Sequence, residues 1–81
     1  MNKADILKET QQIFQMVFMD SSLQIKLDTK AEDIDLWDSL SHIELITAIE
    51  NKFNIHISFR EVMNFQCVGD MIDSIEKHLQ L

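Results

Sequence analysis

The chain has 81 residues and a formal net charge of −7, with one glycine, one cysteine and no proline. A domain of this size folds alone with little core to spare and little room for an enclosed catalytic site. The lone Gly69 excludes phosphate-cradling and dinucleotide loops, which need several glycines at fixed spacing, and the lone Cys67 excludes an internal disulfide or a paired-cysteine zinc site. Residues 3–18 are predicted to form an amphipathic helix, with Ile6, Leu7, Ile13, Phe14, Val17 and Phe18 inward and Lys3, Lys8, Glu9, Gln11, Gln12 and Gln15 outward. A long connection follows, to about residue 38. Leu23, Ile25 and Leu27 alternate in it, but no second strand is evident to pair with them, so an ordered loop pinned by these side chains is expected. Loops of this length inside a compact domain are often functional.

The next helix is predicted over 39–53, with Leu45, Ile46, Ile49 and Phe53 buried and Glu44, Thr47, Glu50 and Asn51 outward. "NIHI" ends it. Ser58 with Glu61 three residues on is a capping-box pattern that starts a short helical turn. A last helix is expected over 68–79, with Val68, Met71, Ile72, Ile75 and Leu79 inward. The reading is a single all-α domain over residues 1–81. It is a four-helix bundle of three longer helices and one short one, with the long loop between the first two.

Charge is concentrated. Residues 28–50 carry Asp28, Glu32, Asp33, Asp35, Asp38, Glu44 and Glu50 against Lys30 alone. Such a field repels nucleic acid and anionic membrane and steers basic protein surfaces toward it. With no targeting pattern and no apolar run near the length of a membrane span, a soluble cytoplasmic protein without membrane insertion is expected. An EF-hand starting at Asp28 would put Asp33 where glycine belongs and Ser39 where glutamate belongs, and that reading is discarded. His42, His56 and His78 show no metal-ligand spacing, so no metal is expected. Ser39 and His42 imitate a nucleophile and base but lack a glycine-flanked turn and an orienting carboxylate, which leaves His42 as a surface histidine and predicts no catalytic residue. Cys67, between Gln66 and Val68 with Phe65 nearby, reads as a packed small hydrophobe.

"DLWDSLSHIEL" at 35–45 places Ser39 where the second helix begins. Asp38, Ser39 and Ser41 all compete to cap that helix, Ser41 with Glu44 three residues on. One cap does not require three candidates.

"DSL" leading into "WDSLSHIELITAIENKF", with "NIHIS" and "VGDMIDSIEKHL" behind it, resembles the acyl carrier proteins, and the resemblance covers essentially the whole chain. It implies that Ser39 is modified with 4′-phosphopantetheine from coenzyme A by a phosphopantetheinyl transferase, and that the thiol of that group carries acyl groups as thioesters. Asp38 would help place the cofactor in the transferase, and Leu40 would pack beneath the attachment point. The attached anion suits a helix N-terminus. Trp37, His42, Glu44, Thr47 and Glu50 are the expected contacts for basic patches on acyl-loading and acyl-processing enzymes. Phe14, Leu45, Ile46, Ile49, Met63 and Ile72 are core residues that could part to shelter an apolar cargo. A monomer is expected. Trp37 stands where the fatty-acid carriers usually have a small residue. Ser41, His42, Thr47 and Asn51–Lys52 also depart from their pattern, as in discrete carriers of specialised pathways. Two other readings stay open: an unmodified acidic adaptor of the same fold, and an aminoacyl or peptidyl carrier.

Overall fold

The computed structural model describes residues 2–80. Four helices follow in chain order: α1 (Lys3–Val17), α2 (Ser39–Phe53), α3 (Phe59–Asn64) and α4 (Val68–Leu79). The fold is all-α, three long helices and one short, with α1 packed against both α2 and α4. Each predicted helix forms. The first stops at Val17, and Phe18 closes it by donating its N–H to Phe14 O at 3.0 Å. A single 3-10 turn over Ala31–Asp33, not anticipated from the sequence, punctuates the long loop.

The apolar stripes meet in one core. Ile6 and Phe14 of α1, Leu45 and Ile49 of α2, and Val68, Met71, Ile72 and Ile75 of α4 have no exposed surface. Ile25 and Ile57 are buried with them, so the loop and the α2–α3 connection each drive one isoleucine inward. Leu7, Val17, Phe18 and Leu79 sit half-buried at the margin. Thr10 is a polar member of the same α1 face, fully buried, and its hydroxyl has no partner among the described residues.

What pins the long loop differs from expectation. Gln11 and Gln15, assigned to the outward face of α1, are its anchors: Ile25 N–H donates to Gln11 Oε1 at 2.9 Å and Gln15 Nε2 donates to Leu23 O at 2.9 Å. Ile25 is buried, but Leu27 stays substantially exposed. Farther along, the loop backbone takes over a helix cap. Cys67, at the N-cap of α4, makes no side-chain cap hydrogen bond. Two N–H groups of the first turn, which have no partner inside a helix, donate to loop carbonyls instead: Val68 to Thr29 O at 2.8 Å and Gly69 to Leu27 O at 2.7 Å.

That approach explains the single glycine. A Cβ at Gly69 would lie 2.9 Å from Leu27 O, a backbone atom that cannot swing aside. In an unconstrained helix, Gly→Ala gains about 1 kcal/mol. Here Gly69→Ala is expected to cost roughly 1–3 kcal/mol, as overpacking does, and to lower the urea midpoint. A raised midpoint would mean the loop shifts freely and is not held at α4.

The α2–α3 connection is tied in the same manner. Asn54 ends α2 in the left-handed region (φ 55°, ψ 50°), which asparagine tolerates. Ile57 N–H then donates to Glu50 Oε2 at 2.8 Å. Ser58 caps α3 by accepting from Glu61 N–H at 3.2 Å. Glu61 does not return the bond, so the capping box read from the sequence is half formed. Its carboxylate is engaged by His78 at 3.0 Å and Ser74 Oγ at 3.4 Å. No helix among the described residues is long and apolar enough to cross a membrane.

Candidate functional site

The three competing caps at the start of α2 resolve into one pair. Asp38 is the N-cap, accepting from Ser41 N–H at 2.9 Å, and Asp38 N–H donates to Ser41 Oγ at 2.8 Å. The capping box is therefore Asp38 with Ser41, and Ser41 is not the cap opposite Glu44. The Ser41 N–H, and then its hydroxyl, hold the Asp38 carboxyl below the usual carboxylate range. The sign follows: this cap is complete above the ordinary aspartate range and is lost as pH falls through the lowered folded value.

Ser39 is left over. It is the first residue of α2, it is exposed, and its hydroxyl has no hydrogen-bond partner among the described residues. A hydroxyl at a helix start with its capping role taken by neighbours is free for chemistry supplied from outside.

Beside it lies an apolar groove of about 880 Å³ between α2, α3 and the segments flanking them. Ser39 and Asp38 are at one end, Glu50 and His56 line it as well, and Ile43, Ile46, Phe59, Val62 and Met63 supply its walls. The proposed cargo set divides here. Ile46 and Met63 line the groove, whereas Phe14, Leu45, Ile49 and Ile72 are sealed in the core. Three exposed apolar residues were missed from the sequence: Leu36 in the loop before Ser39, Ile43 on α2 and Phe59 on α3. Leu40 was expected to pack under the serine. It is 68% exposed, because the position after Ser39 points away from the stripe of Leu45, Ile46 and Ile49. Ile43 could have been found: it lies four residues after Ser39, one helical turn along the same face.

The expected partner contacts also divide. Glu44 is exposed with no ion pair among the described residues, and Thr47 is exposed with its hydroxyl donating to Ile43 O at 2.9 Å. Glu50 is not a free outward acid. Its side chain is 25% exposed, takes the Ile57 N–H, and stands 3.2 Å from His56 Nδ1. His42 is not a surface histidine. Both it and Trp37 are half-buried, the Trp37 indole N–H reaching His42 Nδ1 at 3.1 Å and His42 Nε2 meeting Val62 O at 3.2 Å. Trp37 sets its ring edge-on to Phe14, centroids 5.2 Å apart. Cys67 is half-buried and lines the groove.

A family model described as a phosphopantetheine attachment site matches residues 8–75. An acyl carrier protein of Exiguobacterium sibiricum is 33% identical over 76 residues, which is 94% of this chain and 96% of that one. One from Phytoplasma australiense is 42% identical over 72% of this chain and 76% of its own. Another, from Acidothermus cellulolyticus, is 46% identical over 54% of this chain, and there the match spans about half of the relative, 51%. The solution NMR structure of a holo acyl carrier protein from Geobacter metallireducens superimposes with a TM-score of 0.87 at 39% identity, over 93% of this chain and 86% of that one.

Proposed function

The chain belongs to the acyl carrier protein family, whose members are carriers and not catalysts, and we propose that it carries acyl groups on a 4′-phosphopantetheine attached to Ser39 Oγ. When bound, that group supplies a thiol that holds acyl groups as thioesters. The observation that carries the attachment site is the uncommitted Ser39 hydroxyl on a helix whose cap Asp38 and Ser41 already complete. The residues fit the group. The first-turn N–H groups of α2 and the positive end of its dipole suit a phosphodiester, and the apolar groove beside Ser39 gives an arm or an acyl chain a surface to lie on. Ser39 presents only an oxygen; the transferase supplies base and metal.

Incubation with coenzyme A, magnesium and a broad-specificity phosphopantetheinyl transferase should add the mass of one phosphopantetheine. No gain with several transferases, on folded protein, would favour the adaptor reading.

The Trp37–His42 pair and the weak acidity after Asn51 support a discrete carrier of a specialised pathway, acting in the cytoplasm as a monomer. The cargo we infer is an apolar acyl group, with Ile46 and Met63 as the groove residues nearest to it in kind. Purified fatty-acid synthesis enzymes that elongated chains on this protein as readily as on their own carrier would refute the specialised role.

Partners with basic patches would meet Glu44 in the acid-rich segment, while Glu50 has internal work. Glu44→Lys is expected to weaken transferase binding most at low salt, where screening is least, and to change stability by less than about 0.5 kcal/mol. Glu50→Lys leaves the Ile57 N–H without its acceptor and is expected to cost roughly 1–3 kcal/mol. Urea midpoints and binding measured across salt concentrations separate the two. Equal effects from both variants on both readouts would contradict this division.

A further inference from the structure

Two histidines from different helices hold α3. On one side, His42 of α2 lies with Nδ1 3.1 Å from Trp37 Nε1 and Nε2 3.2 Å from Val62 O. An indole nitrogen only donates, so His42 Nδ1 accepts and carries no proton. The ring is therefore the neutral Nε2–H tautomer, and Nε2 donates to Val62 O. The acceptor lies near the end of α3, where carbonyls have no helical partner, and Phe65 N–H comes only within 3.5 Å of it. The imidazole is stacked on Trp37 (centroids 5.9 Å, planes 27° apart) and takes Phe65 at an edge (6.4 Å, 80°). Trp37, His42, Val62 and Phe65 all line the groove beside Ser39.

We propose that this Trp37–His42–Val62 bridge is an acid-sensitive clasp that holds α3 against α2 and so sets the width of the groove. A second ring proton has to sit on Nδ1, where it meets the Trp37 N–H with no acceptor between them. Either the indole bond breaks, or the ring turns and gives up Val62. The consequence for cargo, regulation of how well the groove shelters it, rests on the carrier reading above. The clasp itself does not.

The other titratable groups around the groove are accounted for. Asp38 and Glu50, at the two ends of the α2 wall, are committed to Ser41 N–H and Ile57 N–H. His56, on the connection before α3, faces Glu50, and Cys67 sits at the start of α4. Among the described residues none of them forms a hydrogen bond or ion pair with His42.

On the other side of α3, Glu61 meets His78 of α4 at 3.0 Å. The hydrogen bond from His78 holds the Glu61 carboxyl below the usual range, against desolvation, and the charge of His78 adds to it. Glu61 thus stays ionised where imidazoles gain their second proton. The two ties differ in kind: the His42 bridge needs an unprotonated Nδ1 as acceptor, whereas the Glu61–His78 contact needs only a ring N–H as donor. A second proton on His42 thus releases the short helix from α2 and leaves its tie to α4 in place.

The test uses the full-length chain without any attached group. Ring-nitrogen NMR at about pH 8 should show His42 as the Nε2–H tautomer, and on lowering the pH to about 5 the Trp37 indole N–H signal should move and exchange faster with water. A neutral apolar dye such as Nile red should bind more tightly over the same range. In His42→Gln, which keeps a neutral polar side chain, both acid responses should vanish; in His78→Gln the Trp37 response should persist. An Nδ1–H tautomer for His42 would overturn the proposal, as would a Trp37 response unchanged in His42→Gln. The tautomer is read on the unaltered protein, so an unfolded variant does not leave the matter open. No readout involves Ser39, so failure of the clasp and failure of phosphopantetheine loading are seen separately.

Discussion

Ser39→Ala is expected to abolish the phosphopantetheine mass gain completely while moving stability by no more than about 0.5 kcal/mol, the range of surface substitutions that break no specific contact. Both halves follow from the start of α2. The capping box belongs to Asp38 and Ser41, and the Ser39 hydroxyl holds nothing in place. Alanine is also the best helix former. Intact mass after transferase treatment, with circular dichroism and a urea titration on the same sample, checks both. A large loss of helix would mean that the serine is structural. Loading that survives would put the attachment elsewhere.

Phe14→Ala is expected to have the largest effect on folding, about 3–5 kcal/mol by the usual cost of emptying a buried aromatic site. Small domains are stable by roughly 5–15 kcal/mol, so this change brings the chain close to unfolding at room temperature. Phe14 has no exposed surface, and it supports the ring edge of Trp37 and the ring of Phe18. Met63→Ala should cost far less, because Met63 is 65% exposed on the groove wall. Urea unfolding of the pair measures the contrast. If Phe14→Ala were cheap in stability yet abolished retention of an apolar acyl group, the core residues would be serving cargo directly.

The helices were legible because their signal is local and repeated: Leu45, Ile46, Ile49 and Phe53 mark α2 by spacing alone, and all four are buried. The free serine was legible in outline from the surplus of caps around it. Contacts between polar groups far apart in sequence were not. Gln11 and Gln15 hold a loop, and Glu50 holds the α2–α3 connection. On a helical projection each is one more polar residue outside the apolar stripe, and nothing in their spacing tells an anchored side chain from a solvated one. His42 misled for the same reason, since its partners are Trp37 in the loop and a backbone carbonyl twenty residues away. Leu40 erred in the other direction: an apolar residue beside a candidate attachment serine invites burial, but its place on the helix faces solvent.

The backbone bonds from Val68 and Gly69 to the loop bear on slow exchange with solvent. The amide hydrogens at the start of a helix normally trade with deuterium almost at once, because no helical carbonyl shields them. Here these two are shielded by carbonyls some forty positions earlier in the chain. Their protection factors therefore report on the attachment of the loop and not on the fraying of α4. If the loop detaches as a unit without global unfolding, Val68 and Gly69 will exchange together at that lower free energy, while the amides in the middle of α4 wait for the whole protein to open. Two deuterium uptake curves on one helix would thus time the movement of the segment that leads directly to Ser39.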